Sequence, residues 1–267
     1  MKNHMIRQGH GPFYADQLRS GDPYELSNGH PIQCLPTGGR GSKANLIGGL
    51  VLGTDPDVDS AGVDTGYAPT PGTLRAPDVS VGNVPDVPGW VAGAPPLALE
   101  YADTGQDEVD LALKITELLA AGTRFVWVVR LTGPRRVEVH QPGTAMRLCY
   151  PGDWLEARGI LRNKLPVESL YDPQAAATVA LRNLLQRQGY SDLDAVRGEA
   201  AVESLRGAVL DVLDGRGVIA DAATRARLER CADPEQLRHW LRRAATLDDV
   251  ADLFAASLGR GRDAGKE

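Results

Sequence analysis

Cysteine, lysine and aromatic residues are all scarce in this chain. Cys34, Cys149 and Cys231 lie far apart, form no CxxC pair and are odd in number. That excludes a disulfide framework and reads as a reduced, intracellular pattern. No stretch approaches the roughly 18 apolar residues of a membrane-spanning helix. Residues 1–17 lack the apolar centre of a secretion signal. A cytoplasmic protein without a membrane partner is expected. The formal net charge of −6 excludes a broadly basic surface, so any nucleic-acid binding needs a local basic patch. The five histidines show no metal-ligand spacing. Residues 38–43, GGRGSK, lack the glycine that a Walker motif places directly before its lysine; Ser42 stands there. No internal repeat is found.

What is present is apolar residue, 42% of 267, enough for a real core and a small second domain. Residues 15–21 read as a short helix. Residues 24–34, YELSNGHPIQC, are two short runs around Asn28-Gly29, the strongest local hairpin signal. Residues 42–53 have helical spacing weakened by glycines. Residues 54–76 read as a surface loop with a short strand near 62–68. Residues 77–81 read as a strand, and the apolar run 96–102, PLALEYA, as a central one. Residues 107–122 form an amphipathic helix with Leu111, Ile115, Leu118 and Leu119 inward and Gly122 as its stop. A buried strand at 123–131, a half-exposed one at 135–141 and a further strand and turn in 145–157 follow.

Strand–helix–strand over 96–131, with hairpins before and after it, predicts an α/β fold with a mixed β-sheet. From 173 to 258 every segment is an amphipathic helix, with breakers at Gly215 and Asp233-Pro234. The expected division is therefore 1–172, a small all-α domain at 173–258, and a polar tail at 259–267.

Two stretches carry an acid into an apolar run: LRAPDVSVG at 74–82 with Asp78, and PLALEYADTG at 96–105 with Glu100. A buried carboxylate is costly unless compensated, and a metal ion is one compensation. Lys114 lies on the helix after the second strand, near that strand's C-terminal end, where clefts form in open α/β sheets. Two carboxylates, with the backbone carbonyl of Tyr101, would hold Mg²⁺ or Mn²⁺ through hard oxygens. Such an ion polarises a phosphate and acidifies a bound water. A lysine beside it stabilises developing negative charge or orients that water. Together these features describe phosphodiester hydrolysis. Each residue also has a plainer reading. Asp78 after Pro77 suits a turn or cap, Glu100 an exposed strand edge, and Lys114 a solvated helix face. Arg238, Arg242 and Arg243 suit a solvated face better than a nucleic-acid patch.

Taken in order, several segments resemble the Uma-type endonuclease family of the PD-(D/E)XK nuclease superfamily. They are YELSNG with Glu25, PTGG at 36–39, DTGY at 64–67, RAPDVS with Asp78, LALEYA with Glu100, DLALK with Asp110 and Lys114, and AAGTRFVWVV. The resemblance runs through residues 1–190. It implies a restriction-endonuclease-like mixed sheet flanked by helices. It also implies Asp78 and Glu100 as metal ligands, Glu25 reaching the same site, and Lys114 as the active-site lysine relocated to the helix. Three positions depart from the family. Ala102 stands where a lysine usually follows the second acid. YADTGQDE replaces a Ser-Pro turn. Arg40 and Ser42 stand where a histidine often follows PTGG.

The expectation is a Mg²⁺- or Mn²⁺-dependent endonuclease acting on DNA as a homodimer, with RNA left open as a substrate. Asp78, Glu100 and Lys114 would be catalytic, and Arg40, Lys43 and Arg75 would contact phosphates. The helical region would regulate or oligomerise. The alternative is a catalytically silent nuclease-fold protein used for nucleic-acid binding or assembly. An aromatic content of 5% and the net acidity favour that alternative.

Overall fold

Alternation of apolar side chains sorts most strands into two main sheets, and the chain crosses between them after Gln33, after Val63 and after Arg75. A computed structural model describes residues 11–255. The expected tail at 259–267 lies outside the described residues. The helix expected at 15–21 is only a 3-10 turn, Ala15–Gln17, because Leu18 returns to extended backbone and is buried.

The chain then forms β1 (Tyr24–Ser27), β2 (His30–Gln33), α1 (Gly39–Gly53), β3 (Ala61–Val63) and β4 (Tyr67–Thr70). It continues with β5 (Thr73–Arg75), β6 (Val79–Val81), β7 (Leu97–Ala102), α2 (Glu108–Ala120), β8 (Phe125–Arg130), β9 (Arg136–His140) and β10 (Arg147–Cys149). The short pair β11 (Trp154–Leu155) and β12 (Leu165–Pro166) follows. The β1–β2 hairpin turns on Asn28 at φ 48° and Gly29 at φ 78°. Two successive positive φ values are what a two-residue type I′ hairpin demands, and Asn-Gly meets them at least strain.

The first sheet has the order β2-β1-β5-β4. The second has the order β10-β9-β8-β7-β6-β3 and is mixed. Within it β7 and β8 run parallel, joined by the α2 crossover, and every other neighbour is antiparallel. Along β7 the side chains alternate faces, as in any strand. Ala98 and Ala102 pack with Leu111, Ile115 and Leu118 of α2, while Leu97, Leu99 and Tyr101 join the larger core shared with α1. The middle of β9, expected to be half-exposed, is buried: Val137, Glu138 and Val139 are all covered. The Glu138 carboxylate is matched there by Arg130, whose Nε donates to it at 2.9 Å.

The helix α3 (Pro173–Arg187) opens the all-helical part of the chain, yet it packs on α1. Asn183 Nδ2 donates to the Val51 carbonyl at 3.2 Å. Arg187 donates to the carbonyls of Gly53, Thr54, Asp55 and Val58, satisfying the C-terminal end of α1 with a cation. One compact unit therefore runs to Gly189 and a second begins at Tyr190, so the division expected after 172 falls inside the first unit. The second unit holds α4 (Leu193–Gly215), α5 (Ala222–Arg230), α6 (Pro234–Ala244) and a 3-10 turn, Val250–Phe254. Its core includes Val209, Leu213, Leu228, Leu237 and Trp240, the last meeting Phe254 edge-on at 4.8 Å. Asp192, Asp221 and Asp233 cap the three helices. No helix among the described residues is long and apolar enough to cross a membrane.

One glycine of α1, Gly48, is a requirement rather than a weakness. A Cβ at Gly48 would press into the Tyr101 hydroxyl and the Leu99 side chain. The Tyr101 hydroxyl is pinned by donating to the Leu170 carbonyl at 2.7 Å, so it has nowhere to retreat. Gly48→Ala should therefore overpack the α1–sheet interface, costing about 1–3 kcal/mol. Thermal melts would show a drop of several degrees; an unchanged melting temperature would contradict this packing.

Candidate active site

Two features of the sheet bring the acids together. The chain passes from β5 to β6 through residues 76–78, and β6 pairs antiparallel to β7 with Val79 opposite Leu99. That register sets Asp78 beside the middle of β7. Asp78 Oδ2 accepts the Tyr101 N–H at 2.6 Å, and Oδ1 accepts Asn45 Nδ2, from α1, at 3.1 Å. Glu100 shares the α2-facing side of β7 with Ala98 and Ala102 and is only 6% exposed, so it does not lie on an exposed edge.

Lys114 lies on the same face of α2 as Leu111, Ile115 and Leu118, one helical turn apart. It is not solvated. Its Nζ donates to the Ala76 carbonyl at 2.7 Å and lies 3.0 and 3.1 Å from the two Glu100 oxygens. A third partner, Glu25 Oε1 from β1, is 3.1 Å away. Asp107 fixes the start of α2 by accepting the N–H groups of Val109 and Asp110. The expected trio Asp78, Glu100 and Lys114 thus converges, and Glu25 joins it.

The other expected residues fare differently. Arg75 cannot contact a phosphate: it is 2% exposed, and its guanidinium is held between Glu25 at 3.0 Å and Glu117 at 2.5 Å. Arg40 is 49% exposed and is not among the residues that line the cleft; its Nε donates to Asp103, which does line it, at 2.9 Å, with a further ion-pair contact to the same carboxylate. Lys43 is exposed on α1 and does not line the cleft. Tyr101 gives its amide to Asp78 and its hydroxyl to Leu170. Asn45, Asp64 and Glu117 were not legible as site residues. Asp64 lies in the DTGY segment, where a φ of 53° and an N–H donated to the Asp78 carbonyl at 3.3 Å bring it beside Asp78.

These groups line a cleft of about 910 Å³ whose acids are Asp22, Glu25, Asp64, Asp78, Glu100, Asp103, Asp107 and Asp110. Residues 35–38 and 103–107 line it as well. Burial pushes the Glu100 carboxyl up to about 8; Lys114 opposes that shift, and the charges of Asp78 and Glu25 add to it. Burial works against the Lys114 charge, but Glu100, Glu25 and Asp78 outweigh it and hold the ammonium above its ordinary range. Asp64 is raised by burial and then by Asp78. The cleft therefore holds more negative charge than its lysine neutralises.

A divalent ion fits this donor set in one particular way. Glu100 Oε1 is buried without a well-aligned hydrogen bond, although the ammonium is close. Asp78 and Glu100 offer hard oxygens. Among the described residues no three His, Cys, Asp or Glu side chains gather into a metal cage. Glu25 is drawn away by Arg75 and by the Ala76 N–H. One or two carboxylates with water and substrate phosphate are the usual holding for Mg²⁺, whereas Ca²⁺ takes more protein oxygens.

No family model matches the chain, and no curated protein matches it. Among solved structures it is similar to the crystal structure of a candidate nuclease belonging to DUF820 from Anabaena variabilis. The identity is 17% and the TM-score 0.52, over 62% of this chain and 99% of that one. The likeness is one of fold: a mixed sheet flanked by helices.

The Glu100 shift has a consequence for stability. The folded protein keeps a proton on Glu100 that the unfolded chain releases near the ordinary 4.5. Stability of the metal-free protein should fall as pH rises from 4.5 through about 8. Thermal melts across that window check this, with Glu100→Gln flattening the slope. An identical slope in the variant would contradict the assignment.

Proposed function

We propose that this cleft hydrolyses phosphodiester bonds, with DNA as its substrate and Mg²⁺ or Mn²⁺ as its cofactor. The observation that carries the reading is the meeting of Asp78 from the β5–β6 connection, Glu100 from β7 and Lys114 from α2, with a buried Glu100 oxygen left without an aligned partner. Asp78 and Glu100 would hold the ion, with the Tyr101 carbonyl as a third oxygen. When bound, the ion polarises the scissile phosphate and makes a water more acidic.

The chain's own residues do the rest. Lys114 holds a fixed positive charge beside Glu100, where it stabilises the negative charge that develops on the phosphate. Asn45 and the Tyr101 amide orient the Asp78 carboxylate. Arg40 offers an exposed guanidinium beside the lining residue Asp103, and a backbone phosphate would compete with that carboxylate for its paired donors. Two copies acting together would cut two strands. A second reading has its own support: Lys114 already sits 3.0 Å from Glu100, against the carboxylate an ion would need, which suits a silent member used for binding or assembly.

The test is cleavage of supercoiled plasmid, linear duplex, single-stranded DNA and RNA, with Mg²⁺, with Mn²⁺ and with chelator. We expect metal-dependent cleavage of DNA that falls on the order of 10²–10³-fold in Asp78→Ala and Lys114→Met. Lys114→Met should keep or tighten metal binding, because the competing ammonium is gone, while cleavage is lost. Cleavage that survives chelator or these substitutions would contradict the reading; no cleavage by well-folded protein would favour the silent alternative.

A further inference from the structure

A row of buried charges runs into the cleft from behind it. Ser27 Oγ donates to Glu117 Oε1 at 2.5 Å, and Arg75 Nε donates to Glu117 Oε2 at 2.5 Å. Arg75 also donates to Glu25 Oε2 at 3.0 Å, and the other Glu25 oxygen meets Lys114 at 3.1 Å. Lys114 ends the row against Glu100. The charges alternate in sign along Glu117, Arg75, Glu25, Lys114 and Glu100, and each of these side chains is at most 14% exposed. Glu117 and Lys114 are one turn apart on α2, so the row leaves the helix at one position and returns to it at the other.

We infer that Arg75 and Glu117 are positioning residues of this cleft, holding Glu25 so that Glu25 in turn fixes the Lys114 ammonium against Glu100. The inference rests on the reading that Lys114 serves phosphodiester hydrolysis. An ammonium has three donors on a flexible four-carbon stem. Here the donors go to the Ala76 carbonyl, Glu25 and Glu100, which leaves the group no freedom. Glu25 could compete with Glu100 for any cation in the cleft. Arg75 and the Ala76 N–H draw its oxygens away, so it serves as a partner for the lysine instead. A purely structural row gains little from this arrangement, because buried ion pairs are often replaceable by apolar side chains without loss of stability.

The experiment is competitive reductive methylation of the full chain with formaldehyde and a hydride donor, read lysine by lysine by peptide mass spectrometry. Wild type is compared with Glu117→Gln and Arg75→Lys, and with Ser27→Ala as the mildest change if either of those fails to fold. The chain has five lysines, and Lys43 and Lys164 serve as internal references. In variants with native thermal melts, Lys114 should label about tenfold faster relative to those references, which corresponds to roughly 1.4 kcal/mol of lost hold on the ammonium. Where cleavage is measurable, kcat should fall with KM unchanged. Unchanged Lys114 labelling in folded variants would overturn the inference. Faster labelling in a protein that cleaves nothing would overturn the nuclease reading and leave the positioning role standing.

Discussion

Glu100 is an acid in the middle of a strand whose six residues are all buried, and the surroundings of the cleft answer to that one fact. A carboxylate there must lose its charge or meet a cation. The crossover helix α2 supplies the cation, because the spacing that buries Leu111, Ile115 and Leu118 against the sheet also brings Lys114 down onto the same strand face. Asp78 then comes within reach through the β6–β7 register, and Glu25 through the hairpin strand β1. None of these acids is placed by a loop free to move. Each is held by a strand, or by a segment that joins two strands.

The cost of this arrangement is distributed over several compensations rather than one. Lys114 balances Glu100, Arg75 balances Glu25 and Glu117, and Asn45 with the Tyr101 amide satisfies Asp78. Negative charge still exceeds positive, and proton uptake by Glu100 makes up part of the difference. A divalent ion would replace that proton. Such a cleft is poised between two compensations, and the ion that replaces the proton would also meet the further negative charge a phosphate brings.

Much of this was legible from local signals. Asn28-Gly29 demands two positive φ values, and so announces its hairpin. An acid inside LALEYA is costly in any context, and so announces a site. The helical spacing of 107–122 fixes which side of α2 faces inward and therefore where Lys114 points. What failed to show depends on contacts between residues far apart in sequence. Arg75 meets Glu117 across 42 positions and Glu25 across 50, so from sequence alone it was read as a phosphate contact. Glu117 beside Leu118 looks like an ordinary solvated acid. The helix α3 looks like the start of a separate domain until its contact with α1, across 132 positions, assigns it to the first unit.

The central claim is that Asp78 and Glu100 together hold a divalent cation. Anomalous diffraction from crystals soaked in Mn²⁺ tests it most directly. One manganese peak is expected at Asp78 and Glu100, absent in Glu100→Gln crystals. Manganese found elsewhere, or none bound while Lys114 stays clamped to Glu100, would contradict it.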